Sequence, residues 1–207
     1  MRSLIEQIYR EARRRGHLDP SLELESLRGS EGLATLFELV REMPYLRALD
    51  REPSTTIREW RGTCSGKHYL LKALYEELGY RTELLACTTW VRPELGALLP
   101  EGHESLMAEG PIPDLHNYLR LYIEGAGQLI DATAPLWWGE YGIPVNPEFV
   151  VGVDSVLLFD PLEEFEVPWT DGIEGAQRYK DQLLREHFSP AELERRTRFF
   201  GALAGFG

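Results

Sequence analysis

Apolar residues along this chain recur at helical spacing in some stretches and alternate in another, and the difference divides it. Leu70, Leu71, Leu74, Tyr75 and Leu78 lie on one helix face, and Gly79 is the expected stop. Nothing before Gly62 continues that period, so Thr63 is the expected N-cap and Cys64 falls in the first turn. Leu4, Ile5, Ile8 and Tyr9 predict an amphipathic helix over 2–15, closed by Arg13, Arg14 and Arg15, where a helix end favours cations. Leu22, Leu24 and Leu27 suggest a short second helix. Ser30 is the expected cap of a third, carrying Leu33, Leu36, Phe37, Val40 and Met43, with Pro44 just beyond. Residues 50–60 are polar and read as a loop. Residues 174–188 predict another amphipathic helix. Ser189-Pro190-Ala191-Glu192 then forms a capping box with proline at the first helical position, opening a last helix through Leu193, Phe199 and Phe200.

Between the helical ends the period changes. Residues 80–91 are rich in threonine, leucine and aromatics and predict a strand containing Cys87. Residues 92–114 are rich in proline and glycine and predict a long functional loop, a lid. Leu115, Leu119, Leu121 and Ile123 alternate with His116, Tyr118, Arg120 and Tyr122, the period of a strand. Glu124-Gly125-Ala126-Gly127 is the expected hairpin turn, and 128–133 the return strand. A four-residue turn there pairs Arg120 with Asp131. Residues 135–139 read as an aromatic loop, 149–153 and 155–159 as further strands, and Asp160-Pro161 as the end of the sheet. The pattern predicts one α+β domain over 1–207, with a core at about 58–160, a helical cover at 1–50 and a helical tail at 172–207.

Composition changes this picture little. The net charge is −12 and no run of Lys or Arg offsets it, so a nucleic acid is not an expected partner. Two cysteines do not make a disulfide scaffold. No apolar h-region follows Met1 and no apolar run is long enough for a bilayer, so the expectation is a cytoplasmic location without membrane contact, where a reactive thiol persists. The sequence carries no signal of oligomeric state.

The chemistry concentrates on three residues. A thiol in a first helical turn is stabilised as thiolate by unpaired N–H groups and the helix dipole. His116 on the first strand of the hairpin and Asp131 on its return share a face by parity, and supply a base and an orienting carboxylate. The Cys64 backbone N–H is a candidate oxyanion donor. An Arg120–Asp131 ion pair is the rival arrangement. Cys87 reads as a small buried residue. His68 shares a helix face with Cys64, so Cys64, His68, His116 and Asp131 also permit a zinc site, against a structural histidine under the helix. Lys67 reads as solvated or anion-facing. Trp60, Trp90, Trp137, Trp138 and Tyr118 line a cleft or fill the core.

Gly62-Thr63-Cys64 at a helix start, His116-Asn117-Tyr118 and Asp131-Ala132-Thr133 resemble the transglutaminase-like superfamily, which groups with papain-like cysteine proteases and arylamine N-acetyltransferases. The likeness covers roughly residues 58–135 and looks nearest to a small bacterial subgroup with a Gly-Thr-Cys-x-x-Lys-His helix start. It implies an α+β fold with the cysteine helix packed on an antiparallel sheet. It also implies Cys64 as nucleophile, His116 as base and Asp131 as orienting acid, with Trp60, Lys67, His68 and Tyr118 around them. The expected activity is thiol-dependent acyl transfer or amide hydrolysis on a small-molecule or peptide acyl substrate, with no cofactor and no metal. The alternatives are a non-catalytic scaffold that keeps the fold, and the zinc site.

Overall fold

The cysteine helix forms where its periodicity puts it. In this computed structural model, which describes residues 3–29, 31–103 and 105–204, it runs Cys64–Glu77. Counting α-helices in chain order, it is α4, after α1 (Leu4–Arg15), α2 (Gly32–Arg41) and α3 (Pro53–Glu59). Leu70, Leu71, Leu74 and Tyr75 are wholly buried, each contributing about 1.5–3 kcal/mol of apolar burial. They meet Leu84, Ala86, Leu115, Leu119, Leu121 and Ile130 from the sheet, and α1 and α2 cover the remainder of this core. Leu78 ends the helix, and Gly79 follows with φ +89°. Thr63 holds the N-cap backbone position, but its side chain makes no capping bond.

The sheet has four antiparallel strands in the order β3-β2-β1-β4. They are β1 (Arg81–Trp90), β2 (Pro113–Ile123), β3 (Ala126–Ile130) and β4 (Glu163–Glu166). The fold is therefore mixed helix and sheet, with α5 (Ser105–Ala108) before β2 and α6 (Gly172–His187) and α7 (Pro190–Ala204) closing the chain. The capping box of α7 forms as its spacing predicts: the Ser189 N–H donates to Glu192 Oε2 at 2.8 Å, and the Glu192 N–H to Ser189 Oγ at 3.4 Å. No helix among the described residues is long and apolar enough to cross a membrane.

Several expectations are corrected. The polar stretch 50–60 contains α3, because Pro53 opens a helix whose Thr55, Thr56 and Ile57 are buried. The second segment is a short 3-10 helix, Leu24–Arg28. α2 ends at Arg41, short of Met43, and the expected cap Ser30 lies outside the described residues. Residues 92–112 are not an open lid: Leu95, Leu99 and Ile112 pack with Phe199 and Leu203 of α7 in a second apolar cluster. The aromatic loop is a 3-10 helix, Leu136–Tyr141. Neither 149–153 nor 155–159 is a strand. Val150, Val151 and Val153 are exposed, and the Gln128 amide takes the Val150 and Val153 carbonyls and accepts the Gly152 N–H. The sheet does not end at Asp160-Pro161, since β4 follows and pairs with β1 from Leu85↔Glu166 to Thr88↔Glu163.

The hairpin register decides which residue Asp131 can reach. The turn between β2 and β3 has two residues, Glu124 at φ +51° and Gly125 at φ +86°. Positive φ at both positions is the I′ turn that matches strand twist. Ile123 therefore pairs with Ala126 and Arg120 with Leu129. Relative to a four-residue turn, the return strand shifts by two residues, which keeps its faces and moves Asp131 away from Arg120 toward His116.

Candidate active site

Cys64 owes its position to a close approach of α3 and α4. A Cβ on Gly62 would lie 3.2 Å from the Lys67 backbone nitrogen and 3.3 Å from Thr56 Cγ2, so a larger residue there would have to push α3 and α4 slightly apart. The Gly62 N–H bonds the Pro44 carbonyl at 3.1 Å, fixing the entry to the helix. Cys64 then follows as the first helical residue, 6% exposed, lining a cleft of about 190 Å³.

His116 lies on the part of β2 that β3 does not cover, because the ladder starts at Leu119↔Ile130. Beyond Ile130 the chain turns onto α4 instead. The Ala132 N–H donates to His68 Nε2 at 3.1 Å, and the Thr133 carbonyl accepts from Lys67 Nζ at 2.9 Å. This carries the Asp131 carboxylate to the imidazole. His116 Nε2 and Asp131 Oδ2 are 2.7 Å apart, and the Leu158 N–H (2.8 Å, to Oδ2) and Thr133 N–H (3.0 Å, to Oδ1) hold the same carboxylate. Arg120 is elsewhere, on Glu83 at 3.2 Å, so the rival Arg120–Asp131 pair does not form.

With Nε2 on Asp131, the His116 ring presents Nδ1 to the thiol side. Nδ1 is buried and has no hydrogen-bond partner in the free protein. A catalytic hydrogen bond is often long before substrate binds. The electrostatics of both partners agree. Burial pushes the Cys64 thiol up, but the hydrogen-bonding influence of His116 and the positive charges of Lys180 and His116 outweigh it, bringing the thiol down to about 7. Burial pushes His116 down, but the charge and hydrogen bond of Asp131, and then Cys64, hold it well above the usual imidazole range. Burial raises Asp131, yet His116, His68 and the Leu158 N–H hold it below the ordinary carboxylate range. These influences favour a thiolate on Cys64 and an imidazolium on His116, which rests on the Asp131 carboxylate. Cys87, buried in β1, is pushed the other way by burial and by Asp114 and Asp131.

The four flanking residues from the sequence have different places. His68 is wholly buried, with Nδ1 donating to the Cys64 carbonyl (2.8 Å) and Nε2 accepting from Ala132. Both nitrogens are committed, which keeps the ring neutral, with burial as the main cause of its lowering to about 4. Neither nitrogen has a lone pair free for zinc. Among the described residues, no group of three or more His, Cys, Asp or Glu side chains is disposed to hold a metal ion. Lys67 is not solvated or anion-facing but wholly buried, donating to the Arg41 (2.8 Å) and Thr133 (2.9 Å) carbonyls; burial lowers it to about 7. Trp60 stacks on His17 with ring centroids 5.0 Å apart, in the helical cover. Tyr118 packs against His116, with ring centroids 6.2 Å apart, and its hydroxyl bonds Glu164.

Two residues were not legible in the sequence. Lys180, from α6, is buried and donates to Ser65 Oγ at 2.8 Å and to Asn117 Oδ1; Ser65 Oγ donates to the same amide oxygen at 3.0 Å. This triangle ties α6, α4 and β2 together, and the Lys180 charge lowers the Cys64 thiol. Burial lowers Lys180, opposed by Cys64 and Asp114. Tyr45, between α2 and α3, lines the cleft, and burial followed by the charges of Cys64 and Asp114 pushes its hydroxyl well above the ordinary phenol range. No pattern marks either residue, because both come from segments far from the cysteine helix in sequence. No family model, curated protein or solved structure matches this chain.

Proposed function

We propose that this protein is a cysteine-dependent acyltransferase or amide hydrolase of the transglutaminase-like type, with Cys64 as nucleophile, His116 as base and Asp131 as orienting carboxylate. One observation carries the reading. His116 is buried with one nitrogen on Asp131 at 2.7 Å and the other left to the thiol, at a helix start that favours a thiolate.

The reaction uses these groups in turn. The Cys64 thiolate attacks an acyl carbon, forming the C–S bond while the carbonyl π electrons move to oxygen. That oxyanion meets the Cys64 backbone N–H at the start of α4. As the intermediate collapses, the bond to the leaving group breaks and His116 gives that group its proton. A thioester remains on Cys64. Water or an acceptor amine then attacks it, His116 takes the attacker's proton, and the thiolate departs.

The test is acylation by p-nitrophenyl acetate, followed by peptide mass spectrometry. An acetyl group on Cys64, absent from Cys87 and lost in His116→Ala at neutral pH, is the expected result. Acetylation spread over lysines with Cys64 unmodified would leave the non-catalytic scaffold as the better account.

A further inference from the structure

We infer that the Cys64 cleft takes acyl substrates bearing an anionic oxygen group, a carboxylate or a phosphate, held by Arg47 and Arg51. The inference rests on the thiol reading above and adds the substrate class.

It comes from which charges in the cleft are already satisfied. The chain carries a net charge of −12, yet the cleft around Cys64 is lined by four cations, Arg47, Arg51, Lys180 and Arg196, against two carboxylates, Asp114 and Asp181. Arg196 is spent on Asp114, through Nε at 3.0 Å and Nη2 at 2.7 Å. Lys180 directs its donors to the uncharged Ser65 and Asn117, and its charge acts on the Cys64 thiol. Asp181 is exposed, as is Arg47, whereas Arg51 is half-buried. Asp50, in the adjoining crevice, accepts from the Glu52 N–H at 2.9 Å. Among the described residues, Arg47 and Arg51 have neither an ion pair nor a hydrogen bond, although the other arginines of the cleft and of the nearby helix α3 are paired. Both sit in the segment between α2 and α3, on the wall that leads to Thr63 and Cys64.

Guanidinium groups present planar donor forks that match carboxylate and phosphate oxygens. A concave site with an excess of one sign concentrates ligands of the other sign and speeds their arrival by about 10- to 10³-fold. A cleft of about 190 Å³ admits a small molecule or the end of a chain. Charge within it thus does much of the selecting.

Two alkylating agents of nearly equal size test this. Iodoacetamide is neutral, and iodoacetate carries a carboxylate beside the reacting carbon. In both, the Cys64 sulfur forms a C–S bond and iodide leaves. The iodoacetate-to-iodoacetamide rate ratio at Cys64, divided by the same ratio for N-acetylcysteine thiolate, is expected to be about tenfold or more at low salt. It should fall toward one in Arg47→Met/Arg51→Met and in wild type at high salt. The wild-type salt series stands even if the variant does not fold. A normalised ratio near one, with fast iodoacetamide labelling, overturns the inference and leaves the activated thiol standing. Slow labelling by both agents overturns the thiol reading, and this inference with it. A high ratio unchanged in the folded double variant also overturns it, because the preference then arises elsewhere. Protection of Cys64 from iodoacetamide by succinate identifies a carboxylate ligand and protection by inorganic phosphate a phosphate; protection by neither contradicts the inference.

Discussion

Replacing His116 by alanine should cost Cys64 most of its reactivity at neutral pH and little of it at high pH. In the folded protein the thiol is brought from its ordinary 9.0 to about 7, with His116 as the largest lowering influence. A shift of that size is worth about 2.7 kcal/mol of preference for the thiolate, at ~1.36 kcal/mol per unit. At pH 7 the wild-type thiol is then about half ionised. A thiol at its ordinary value is about 1% ionised, and burial alone would push it higher. Only the thiolate attacks iodoacetamide efficiently, so labelling of Cys64 at pH 7 should slow by roughly fiftyfold or more in His116→Ala. Near pH 10 to 11 hydroxide supplies the thiolate in both proteins, and the rates should converge to within about a few fold. Loss of the ring opens space beside the sulfur, so slower labelling cannot be steric. The assay is a pH series of labelling rates, with the site read by peptide mass spectrometry and folding checked by thermal melting. Rates at pH 7 that agree within about threefold in the two folded proteins would refute the assignment of His116 as the proton acceptor.

Lys180→Met should raise the apparent pKa of Cys64 by about one unit, the scale of a 1–2 kcal/mol charge interaction at an effective dielectric constant near 20, read in the same pH series; no change would show that the ammonium serves packing alone. Lys67→Met tests the buried ammonium under α4. Its folded pKa, about 7, is below the ordinary 10.5, so the unfolded chain binds more protons between these values and the wild type should gain stability relative to the variant as pH rises through that window. Denaturant unfolding at pH 6.5, 8 and 9.5 checks the sign, and a wild-type-minus-variant stability difference that falls with rising pH would contradict it. Asp131→Asn keeps the size of the side chain but loses the charge that supports the imidazolium, so it should slow labelling at pH 7 less than His116→Ala does, in the same assay.

Whether a feature was legible in the sequence depended on where its signal resides. The cysteine helix, the two long strands and the capping box of α7 were legible because each rests on its own local pattern. Leu70 to Tyr75 repeat at helical spacing, and Ser189 and Glu192 meet within one turn. Helix α3 was hidden because two of its three buried residues, Thr55 and Thr56, are polar and read as a loop. β4 was hidden because Glu-Glu-Phe-Glu is an acidic edge strand with little apolar signal. The valine-rich stretch after Phe149 imitated a strand, but the Gln128 side chain takes its backbone groups and leaves Val151 and Val153 in solvent. In the candidate site, residue types and order were legible while the register was not. Positive φ falls on Glu124, a residue that does not announce a two-residue turn, and that turn carries Asp131 to His116. Lys180 reaches Ser65 from a helix late in the chain, a contact that only tertiary packing creates.

The most direct measurement is the protonation state of His116 in the resting protein, by nitrogen NMR of its labelled imidazole at pH 8. An ordinary histidine, with its reference value of 6.5, is neutral there and keeps one bare ring nitrogen. Resting on Asp131 and facing the Cys64 thiolate, His116 is raised to about 10, so both ring nitrogens should carry protons at pH 8. The imidazolium signal should be lost when Asp131 is replaced by alanine. A His116 ring with only one protonated nitrogen at pH 8 in the wild-type protein would contradict the thiolate–imidazolium pair at the centre of the proposed chemistry.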